Sequence, residues 1–569
     1  MLLNISEVGI LSSGRMPNLA RKRFPAVNGA SNAMAISLKL RCSLIVVDGI
    51  SMTPADCPIM RHNAVAIDID FIAGLAGRVG GYAFSCTLKI ESANLSCDIY
   101  QEKKGMSAVG TEGNPLRVAI IGSGPAGFYT VSNFLKQKEL VVELDMYDRL
   151  PTPFGLVRAG VAPDHQKDKS VQRAYDKSAQ RPNYRFYGNV EYGSDIHLED
   201  LKKHYHQVMF TTGAPFDRSL GVPGEDLDGS FSATEFVAWY NGHPDFADRH
   251  FDLSQESVAI VGIGNVAMDV ARILCKTYDE LAVTDIADHA LEALKNSKVK
   301  NVYILGRRGP AQAAFTPPEI KEMGEFEDAD VTVPSDEAVV DPASQAILDE
   351  SGDKNARKNV GFIQEYAQRP LDGKSRLLTI RFLVSPTDLV GEDGRVAAIK
   401  LVKNELVQGD DGSVRPRATE LEETIPVGLV FRSVGYKGLP LPNIPYHQNW
   451  GTILNEAGRI VDESGDAVTG LYTAGWIKRG PSGVIGTNKT CAQETVACMV
   501  EDLAAGRFNE PEDPSIEGAA ALVGEREPEA ISYQQWQTID AVEVGKGEAQ
   551  GRPRVKFTRV ADMVSVGKN

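Results

Sequence analysis

Cysteine is scarce in this chain of 569 residues, and the few cysteines present are scattered. The seven cysteines include no CxxC pair, which argues against a zinc ribbon, a ferredoxin-type cluster motif and a thioredoxin-like dithiol. The nine histidines do not join them in a metal-ligand spacing either. An odd number of cysteines at irregular spacing fits a reducing compartment. We therefore expect free thiols, no metal site and a cytoplasmic protein.

Positive charge is in similarly short supply. The formal net charge is −16, although residues 1–105 carry 11 Lys+Arg against 8 Asp+Glu. The acidic excess after residue 105 favours solubility and argues against general nucleic-acid binding. Charged residues also interrupt the apolar patches before residue 90, so no integral membrane segment is expected. These interrupting residues are Lys39, Arg41, Asp68, Asp70 and Arg78.

Residues 1–105 contain no motif that predicts a function. The basic residues within 1–24 are faintly typical of a transit peptide, but no apolar segment of the signal-peptide type follows them. Met106 stands shortly before the first recognisable strand, in KKGMSAVGTEGNPLRVAIIGSG. We therefore favour Met106 as the native start over an extra domain at 1–105.

The stretch LRVAIIGSGPAGFYTVSNFL predicts a strand, a glycine turn and a helix. Gly122, Gly124 and Gly127 form the GxGxxG spacing that lets a backbone turn approach a pyrophosphate at a helix N-terminus. The next predicted strand, VVELDMYD, ends in Asp148, where an acid accepts the hydroxyls of a ribose. Together these features predict a dinucleotide site.

A second unit of the same kind begins at ESVAIVGIGNVAMDVARIL, with Gly262, Gly264 and Ala267 in its turn. Its next predicted strand, VKNVYILG, ends at Arg307 and Arg308. Two guanidinium groups suit a dianionic phosphate through bidentate hydrogen bonds, whereas an acid serves a bare ribose diol better. From the residues alone, a solvated strand end is an equal alternative.

Two further strand-and-turn patterns predict the crossings between domains, HQVMFTTGAPFDRSLGVPGED and VGLVFRSVGY. After them, LYTAGWIKRGPSGVIGTNKTCAQETVACMVEDL predicts a strand, a glycine-rich turn and a helix from about Thr487 or Asn488. The fold class is therefore α/β, with two Rossmann-like dinucleotide-binding domains, the second inserted into a split first. The expected bounds are 115–214 and 435–506 for the first domain, 215–434 for the second, and 507–569 for a C-terminal tail.

These motifs resemble the adrenodoxin-reductase-like class of ferredoxin–NADP reductases over roughly residues 115–505. The resemblance depends on GSGPAGFYT, LPTPFGLVRAGVAPDH, GIGNVAMDVARIL, GRRGPAQAAFTPPE and GWIKRGPSGVIGTNK, in this order. GRPRVKF at 551–557 also resembles the tail of some bacterial members. The resemblance implies FAD and NADP(H) as cofactors. It also implies hydride transfer between NADPH and FAD, followed by single-electron transfer to a ferredoxin or similar small iron–sulfur protein.

The resemblance also implies site residues. His165 corresponds to the family's active-site histidine, linked to Glu319 near the nicotinamide, and both would tune the site and position that ring. The FAD contacts it implies are Gly122, Gly124, Ala126, Gly127, Asp148, Leu156, Val190, Trp476, Gly483, Val484 and Ile485. The NADP(H) contacts are Arg218, Ile263, Gly264, Asn265, Val266, Arg307, Arg308 and Glu319. With Arg218 as a third cation, we expect NADP(H) to be preferred over NAD(H).

Other readings remain open at this point. A flavin subunit of the glutamate-synthase type also pairs FAD and NADPH domains, but the four cysteines before Met106 lack the spacing of its cluster segment. A non-catalytic nucleotide-binding scaffold would contain no flavin. For the redox partner, Lys169, Arg173 and Lys177 predict one helical stripe that could dock an acidic ferredoxin, although a charge stripe is more often a solvated face.

Overall fold

The computed structural model describes residues 108–410 and 412–569. The expectations for residues 1–105, including the N-terminal extension, lie outside the described residues. No helix in the described part of the chain is both long and apolar enough to cross a lipid bilayer.

The first segment builds most of a parallel sheet. Strand β1 pairs in parallel with β2 and β4, and β2 pairs with β3. All six β1 residues are buried, as expected for a strand covered by helices on both faces. The elements are β1 Leu116–Ile121, α1 Pro125–Phe134, β2 Val142–Asp148, α2 Leu156–Ala159, α3 Gln166–Lys169, α4 Gln172–Ala179, β3 Tyr184–Gly188, α5 Leu198–His204 and β4 Gln207–Phe210.

The chain then leaves this sheet and builds a second one. The elements, besides 3₁₀ turns at Pro244–Phe246 and Pro310–Gln312, are β5 Phe216–Asp217, β6 Ser230–Ser232, α6 Ala233–Tyr240, β7 Ser257–Val261, α7 Asn265–Cys275, α8 Tyr278–Ala282, α9 Asp288–Lys295, β8 Asn301–Leu305, α10 Pro317–Glu322, β9 Ala329–Thr332, α11 Pro342–Ser351, α12 Lys354–Gln368, β10 Arg376–Arg381, β11 Val384–Glu392, β12 Arg395–Gln408, β13 Val414–Pro426, β14 Leu429–Arg432 and β15 Tyr436–Lys437. The second sheet is parallel, in the order β6-β14-β7-β8-β10-β9, and β11, β12 and β13 form a separate antiparallel sheet.

After β15 the chain returns to the first sheet. Strand β20 pairs in parallel with β4, which gives the order β18-β19-β20-β4-β1-β2-β3. The crossings lie side by side, because β5 and β15 pair with each other. The returning elements are β16 Tyr446–His447, β17 Thr452–Ile453, β18 Asn455–Glu456, β19 Arg459–Val461, β20 Ala467–Thr473, α13 Trp476–Arg479 and α14 Thr487–Ala504. The expected class, an α/β fold with two parallel-sheet nucleotide-binding units, is confirmed.

The tail is helical and packs on the first domain. Helices α15 Ile516–Arg526, α16 Tyr533–Glu548 and α17 Val560–Lys568 follow α14. Trp536, Ile539 and Met563 of the tail are buried in the same apolar cluster as β1 and β2. The tail is therefore part of the folded first domain.

Candidate functional site

In the first glycine turn, between β1 and α1, each glycine is needed for a different physical reason. Gly122 has φ +106, and a Cβ there would lie 2.7 Å from the carbonyl oxygen of Thr211. A Cβ on Gly127 would lie 2.3 Å from the carbonyl oxygen of Gly122. Gly124 is the N-cap of α1 and has no heavy atom within 4 Å of its would-be Cβ. The open space beside a helix N-terminus fits a pyrophosphate.

The second glycine turn, between β7 and α7, repeats this arrangement. Gly262 has φ +133, and a Cβ there would lie 2.1 Å from a backbone carbonyl oxygen, whereas the space beside Gly264 is open. The carbonyl oxygen of Ile263 accepts a hydrogen bond of 3.0 Å from Ala314. The side chain of Asn265 accepts one of 2.8 Å from the backbone N–H of Thr316. The turn is therefore tied to the segment that leads into α10 and Glu319.

Asp148 lies at the end of β2, beside the first glycine turn. Its carboxylate accepts hydrogen bonds from the backbone N–H of Ser123 at 2.9 Å and from the Ser123 hydroxyl at 2.5 Å. It also accepts a bond of 3.0 Å from the N–H of Leu150. A carboxylate has about four acceptor sites, so capacity remains for a ribose hydroxyl.

Arg307 and Arg308 follow β8, and both are exposed. Neither guanidinium has an ion pair or hydrogen bond to any residue in the described ranges. Their backbone, by contrast, is fixed. The side chain of Asn404 donates to the Arg307 carbonyl oxygen at 2.9 Å, and the N–H of Leu383 donates to that of Arg308 at 3.1 Å. A fixed backbone with two free cations suits an incoming phosphate.

Two other segments converge on the first glycine turn. A Cβ on Gly155 would lie 3.0 Å from the Gly124 Cα, and one on Gly475 would lie 2.7 Å from the Ala126 Cβ. Leu156 follows the first of these glycines and is 41% exposed. The loop before α2 and the turn before α13 thus border the first nucleotide site.

Trp476 and Val484 give the border of this site an unusual surface. The indole Nε1 of Trp476 is buried and has no hydrogen-bond partner among the described residues. Its ring centroid lies 5.2 Å from that of Tyr436. Val484 is an apolar side chain that is 57% exposed. A buried donor without a partner and an exposed apolar side chain on the two turns both fit a bound aromatic ring with polar edges, such as isoalloxazine.

The remaining predicted contacts lie in varied surroundings. Val190 is 1% exposed and packs in the core, so its side chain is closed to a ligand. The Arg218 guanidinium donates to the carbonyl oxygens of Asn449 and Trp450 at 3.3 and 3.1 Å and retains free donors. Gly483 has φ +77, and the side chains of Val266 and Ile485 are partly buried against the two cores.

Arg272 of α7 is the centre of a charged cluster between the two domains, and its side chain is 1% exposed. Its guanidinium donates to the carboxylates of Asp164, Asp269 and Glu319 at 2.8, 2.6 and 2.9 Å. The imidazole Nδ1 of His165 lies 3.9 Å from the carboxylate of Glu319, its predicted partner. The imidazole Nε2 makes a shorter contact, 2.9 Å from the Glu322 carboxylate.

The cluster shifts the acidity of its members. Burial and the nearby Asp269 raise the pKa of Glu319 to about 7, although Arg272 lowers it. Burial lowers the pKa of His165, but the hydrogen bond to Glu322 and other carboxylates outweigh burial, so this pKa lies above its ordinary value. The Glu319 carboxyl can therefore take up or release a proton near neutral pH.

Ligand atoms of His165, Asp269 and Glu319 lie within 4.8 Å of one another, a spacing that a metal ion could use. Arg272 already neutralises two of these groups through hydrogen bonds, so the cluster is satisfied by the protein itself. Sequence reasoning missed Arg272. The signal was a charged pair at i, i+3 inside an otherwise apolar helix, Asp269 and Arg272.

The predicted cationic stripe of Lys169, Arg173 and Lys177 is wrong. Helix α3 ends at Lys169 and α4 begins at Gln172, so the helical phase is broken. Lys169 is 6% exposed and bonds both carboxylate oxygens of Asp285 at 2.7 and 2.8 Å. Arg173 and Lys177 alone remain exposed.

Known proteins resemble this chain over most of its length. The pyridine nucleotide-disulphide oxidoreductase family matches residues 116–304. NADPH-ferredoxin reductase FprA of Mycobacterium leprae is 43% identical over 461 residues, which cover 79% of this chain and 98% of that protein. The mitochondrial NADPH:adrenodoxin oxidoreductase of Arabidopsis thaliana is 39% identical over 468 residues, 80% of this chain and 96% of the relative.

A solved structure gives the same result. That of Mycobacterium tuberculosis FprA in complex with NADPH has a TM-score of 0.76 at 40% identity, and the match covers 80% of this chain and 100% of that one. Fold and sequence identity thus agree over about 80% of the chain. The chain belongs to the ferredoxin/adrenodoxin–NADP reductase family of flavoproteins.

Proposed function

We propose that the protein is an FAD-dependent ferredoxin–NADP⁺ oxidoreductase, which moves hydride between NADPH and FAD and single electrons to a ferredoxin-type iron–sulfur protein. The observation that carries this proposal is the opposite chemistry of two equivalent strand ends. Asp148 follows β2 beside one glycine turn, whereas Arg307 and Arg308 follow β8 beside the other. FAD, when bound, supplies the conversion between two-electron and one-electron chemistry that no side chain of this chain provides.

The first site holds FAD. The turn at Gly124 leaves room for the pyrophosphate, and Asp148 keeps an acceptor for the ribose. Leu156 and Val484 offer uncovered apolar surface, and Trp476 offers an unpaired N–H. Burying such groups against an aromatic ring system stabilises the bound state and excludes water.

The second site holds NADP(H). The turn at Gly264 receives the pyrophosphate, and Arg307 and Arg308 bind the 2′-phosphate. Arg218, which retains free donors, adds a third cation. Glu319 and His165 lie at the domain boundary, where they position the nicotinamide and hold a proton without taking part in hydride transfer.

The partner and location follow from the same chemistry. Small acidic iron–sulfur proteins of the ferredoxin type are the proposed electron acceptors, docked at a local positive field on an acidic chain. Cys275, Cys491 and Cys498 are free. Free thiols support a reducing compartment, and we place the enzyme in the cytoplasm.

The test is purification of the full chain followed by assay. We expect the absorption spectrum of an oxidised flavin, and NADPH-driven reduction of cytochrome c that increases when a ferredoxin is added. NADH should be a poor substitute in parallel assays. A colourless protein would favour a nucleotide-binding scaffold, and equal activity with NADH would contradict the arginine assignment. A requirement for an associated amidotransferase subunit would favour a glutamate-synthase role.

A further inference from the structure

The C-terminal tail crosses from the first domain to the second. Its helices α16 and α17 pack in the first domain's core. The segment between them, Arg552–Arg559, is here called the terminal strap. The strap contacts residues of the second domain, although the helices on both sides of it belong to the first.

The strap has polar contacts at both of its ends. Arg552 donates to the carbonyl oxygen of Ile286 at 2.6 Å and pairs with Asp288 at 2.9 Å. At the other end, both terminal nitrogens of Arg559 pair with Asp248. Ile286 lies in the apolar core of the second domain, so the Arg552 contact is anchored in that domain.

Lys556, at the centre of the strap, belongs to a buried ionic triad with two residues from elsewhere in the chain. Asp285 of the second domain accepts two hydrogen bonds from Lys169 of the first, at 2.7 and 2.8 Å. It also lies 3.2 Å from the ammonium of Lys556 in the strap. Lys169, Asp285 and Lys556 are 6%, 2% and 7% exposed. Burial raises the pKa of Asp285, but the two ammonium groups outweigh it and hold that pKa at about 2.

The strap itself is held firmly to the first domain. Glu543 of α16 is fully buried, and it accepts hydrogen bonds of 2.8 and 2.6 Å from Arg158 in α2. The same carboxylate accepts one of 2.8 Å from the backbone N–H of Phe557 in the strap. At Gly547 a Cβ would lie 2.4 Å from the Arg554 Cα, so the strap and α16 are in close contact. The strap is thus an arm of fixed position.

Buried charges tolerate few geometries, because an ammonium or carboxylate withdrawn from water needs its partner at a fixed place. Lys169 is the last residue of α3, and His165 is the residue that precedes this helix. A displacement at the triad is therefore carried one helical turn to His165, which contacts Glu322 of the second domain.

We propose that Lys169, Asp285 and Lys556 form an interdomain latch, which holds the two nucleotide-binding domains in the relative position at which His165 meets Glu322 and Arg272. The latch residues position the domains, and none of them is among the proposed nucleotide contacts. This inference rests on the proposed function, since the latch serves hydride transfer between sites in different domains.

The test compares Asp285→Asn with Lys568→Met in the full chain. Lys568 lies in the same tail but bonds the Pro528 carbonyl oxygen within that tail and not the second domain, so it serves as the control. The readouts are FAD content, the single-turnover rate of FAD reduction by NADPH, and backbone hydrogen–deuterium exchange in 241–248 and 552–559. We expect Asp285→Asn to retain FAD, to lower the rate about tenfold through misplacement of the domains, and to exchange faster in both segments. Lys568→Met should match the wild type in all three.

Wild-type rates and wild-type exchange in Asp285→Asn would overturn the latch. Should that variant fail to fold, Lys556→Met leaves the Lys169–Asp285 pair intact and is expected to show a smaller fall in rate with faster exchange at 241–248. An unchanged rate and exchange in Lys556→Met would then overturn it instead. If NADPH fails to reduce the wild-type protein, the proposed function fails, and the exchange comparison still decides the latch.

Discussion

Arg272 and Glu319 are joined by a hydrogen bond of 2.9 Å from Nη1 to Oε2, between a guanidinium that is 1% exposed and a carboxylate whose side chain is 12% exposed. Arg272 is on α7, directly after the second glycine turn, and Glu319 is on α10. The bond therefore ties the helix proposed to receive the NADP pyrophosphate to the carboxylate proposed to lie near the nicotinamide.

Removing the Arg272 charge should change the pH dependence of NADPH binding. Burial raises the pKa of Glu319 and Arg272 lowers it, and with Arg272 in place this pKa is about 7. In Arg272→Gln the pKa of Glu319 should rise further, so the midpoint in a profile of NADPH KM against pH should move to higher pH. Arg272→Lys keeps the charge and should restore much of the wild-type profile. A midpoint that stays in place in Arg272→Gln would disprove this electrostatic link.

Glu319→Gln should stabilise the protein at high pH. The folded pKa of Glu319, about 7, lies above its ordinary value of 4.5, so stability is lost as pH rises from 4.5 to about 7 and the carboxyl ionises. The difference in unfolding free energy between Glu319→Gln and wild type should therefore widen by up to about 3 kcal/mol from pH 5 to pH 8. The difference in Tm should widen with it. Thermal unfolding at the two pH values measures it.

Glu322→Gln is the matched control for this experiment, and the opposite sign is expected. Burial raises the pKa of Glu322, but the hydrogen bond to His165 and the nearby Arg272 lower it below its ordinary value. Its charge therefore contributes stability above its unfolded pKa that is lost as pH falls. Glu322→Gln should lower the Tm at pH 8, and a rise there would contradict the assignment.

The double variant Arg307→Ala with Arg308→Ala should erode the preference for NADPH. Each guanidinium is free to make charge-assisted hydrogen bonds, worth about 1.5–3 kcal/mol apiece, so kcat/KM for NADPH should fall about 100-fold or more. The kcat/KM for NADH and the FAD content should be unchanged, because neither arginine lies in the first site. Equal losses with both nucleotides would show that the pair acts on the fold.

Valine at Gly264 should weaken NADPH binding, whereas valine at Gly262 should lower the stability of the fold. The space beside Gly264 is open, so Gly264→Val should fold normally and raise the KM for NADPH more than about tenfold by filling the pyrophosphate space. Gly262 has φ +133 and a carbonyl oxygen 2.1 Å from the would-be Cβ, so Gly262→Val should lose about 2 kcal/mol or more of stability. Circular dichroism melts and NADPH kinetics separate the two, and similar melts would refute the distinction.

Charge reversal at Arg173 and Lys177 tests the remaining exposed part of the predicted docking stripe. The double change to Glu should raise the apparent KM for ferredoxin several-fold at low salt, and the effect should fade as salt screens it. The measurement is a titration with ferredoxin of the NADPH-driven reaction at low and high salt. An unchanged KM would remove this surface from consideration.

Local rules allowed the sequence to predict the glycine turns and the acid beside the first of them. Gly122 and Gly124 follow the GxGxxG spacing, and Asp148 ends the next strand. The structure brings all three together at one turn. The Arg272 cluster follows no such rule, because its partners come from segments near residues 164, 269 and 319. Lys169 was misassigned for the same reason, since its partner Asp285 is 116 residues away along the chain.

The side-by-side crossings at β5 and β15 have a consequence for synthesis on the ribosome. Strand β4 gains its neighbour β20 only when the chain has been made as far as Thr473, because these two strands pair in parallel. The inserted sheet needs no residue beyond β14, which ends at Arg432. Contacts between distant parts of a chain form late, since closing a long loop costs entropy. The second, inserted domain can therefore fold co-translationally before the last strands of the first domain have been synthesised.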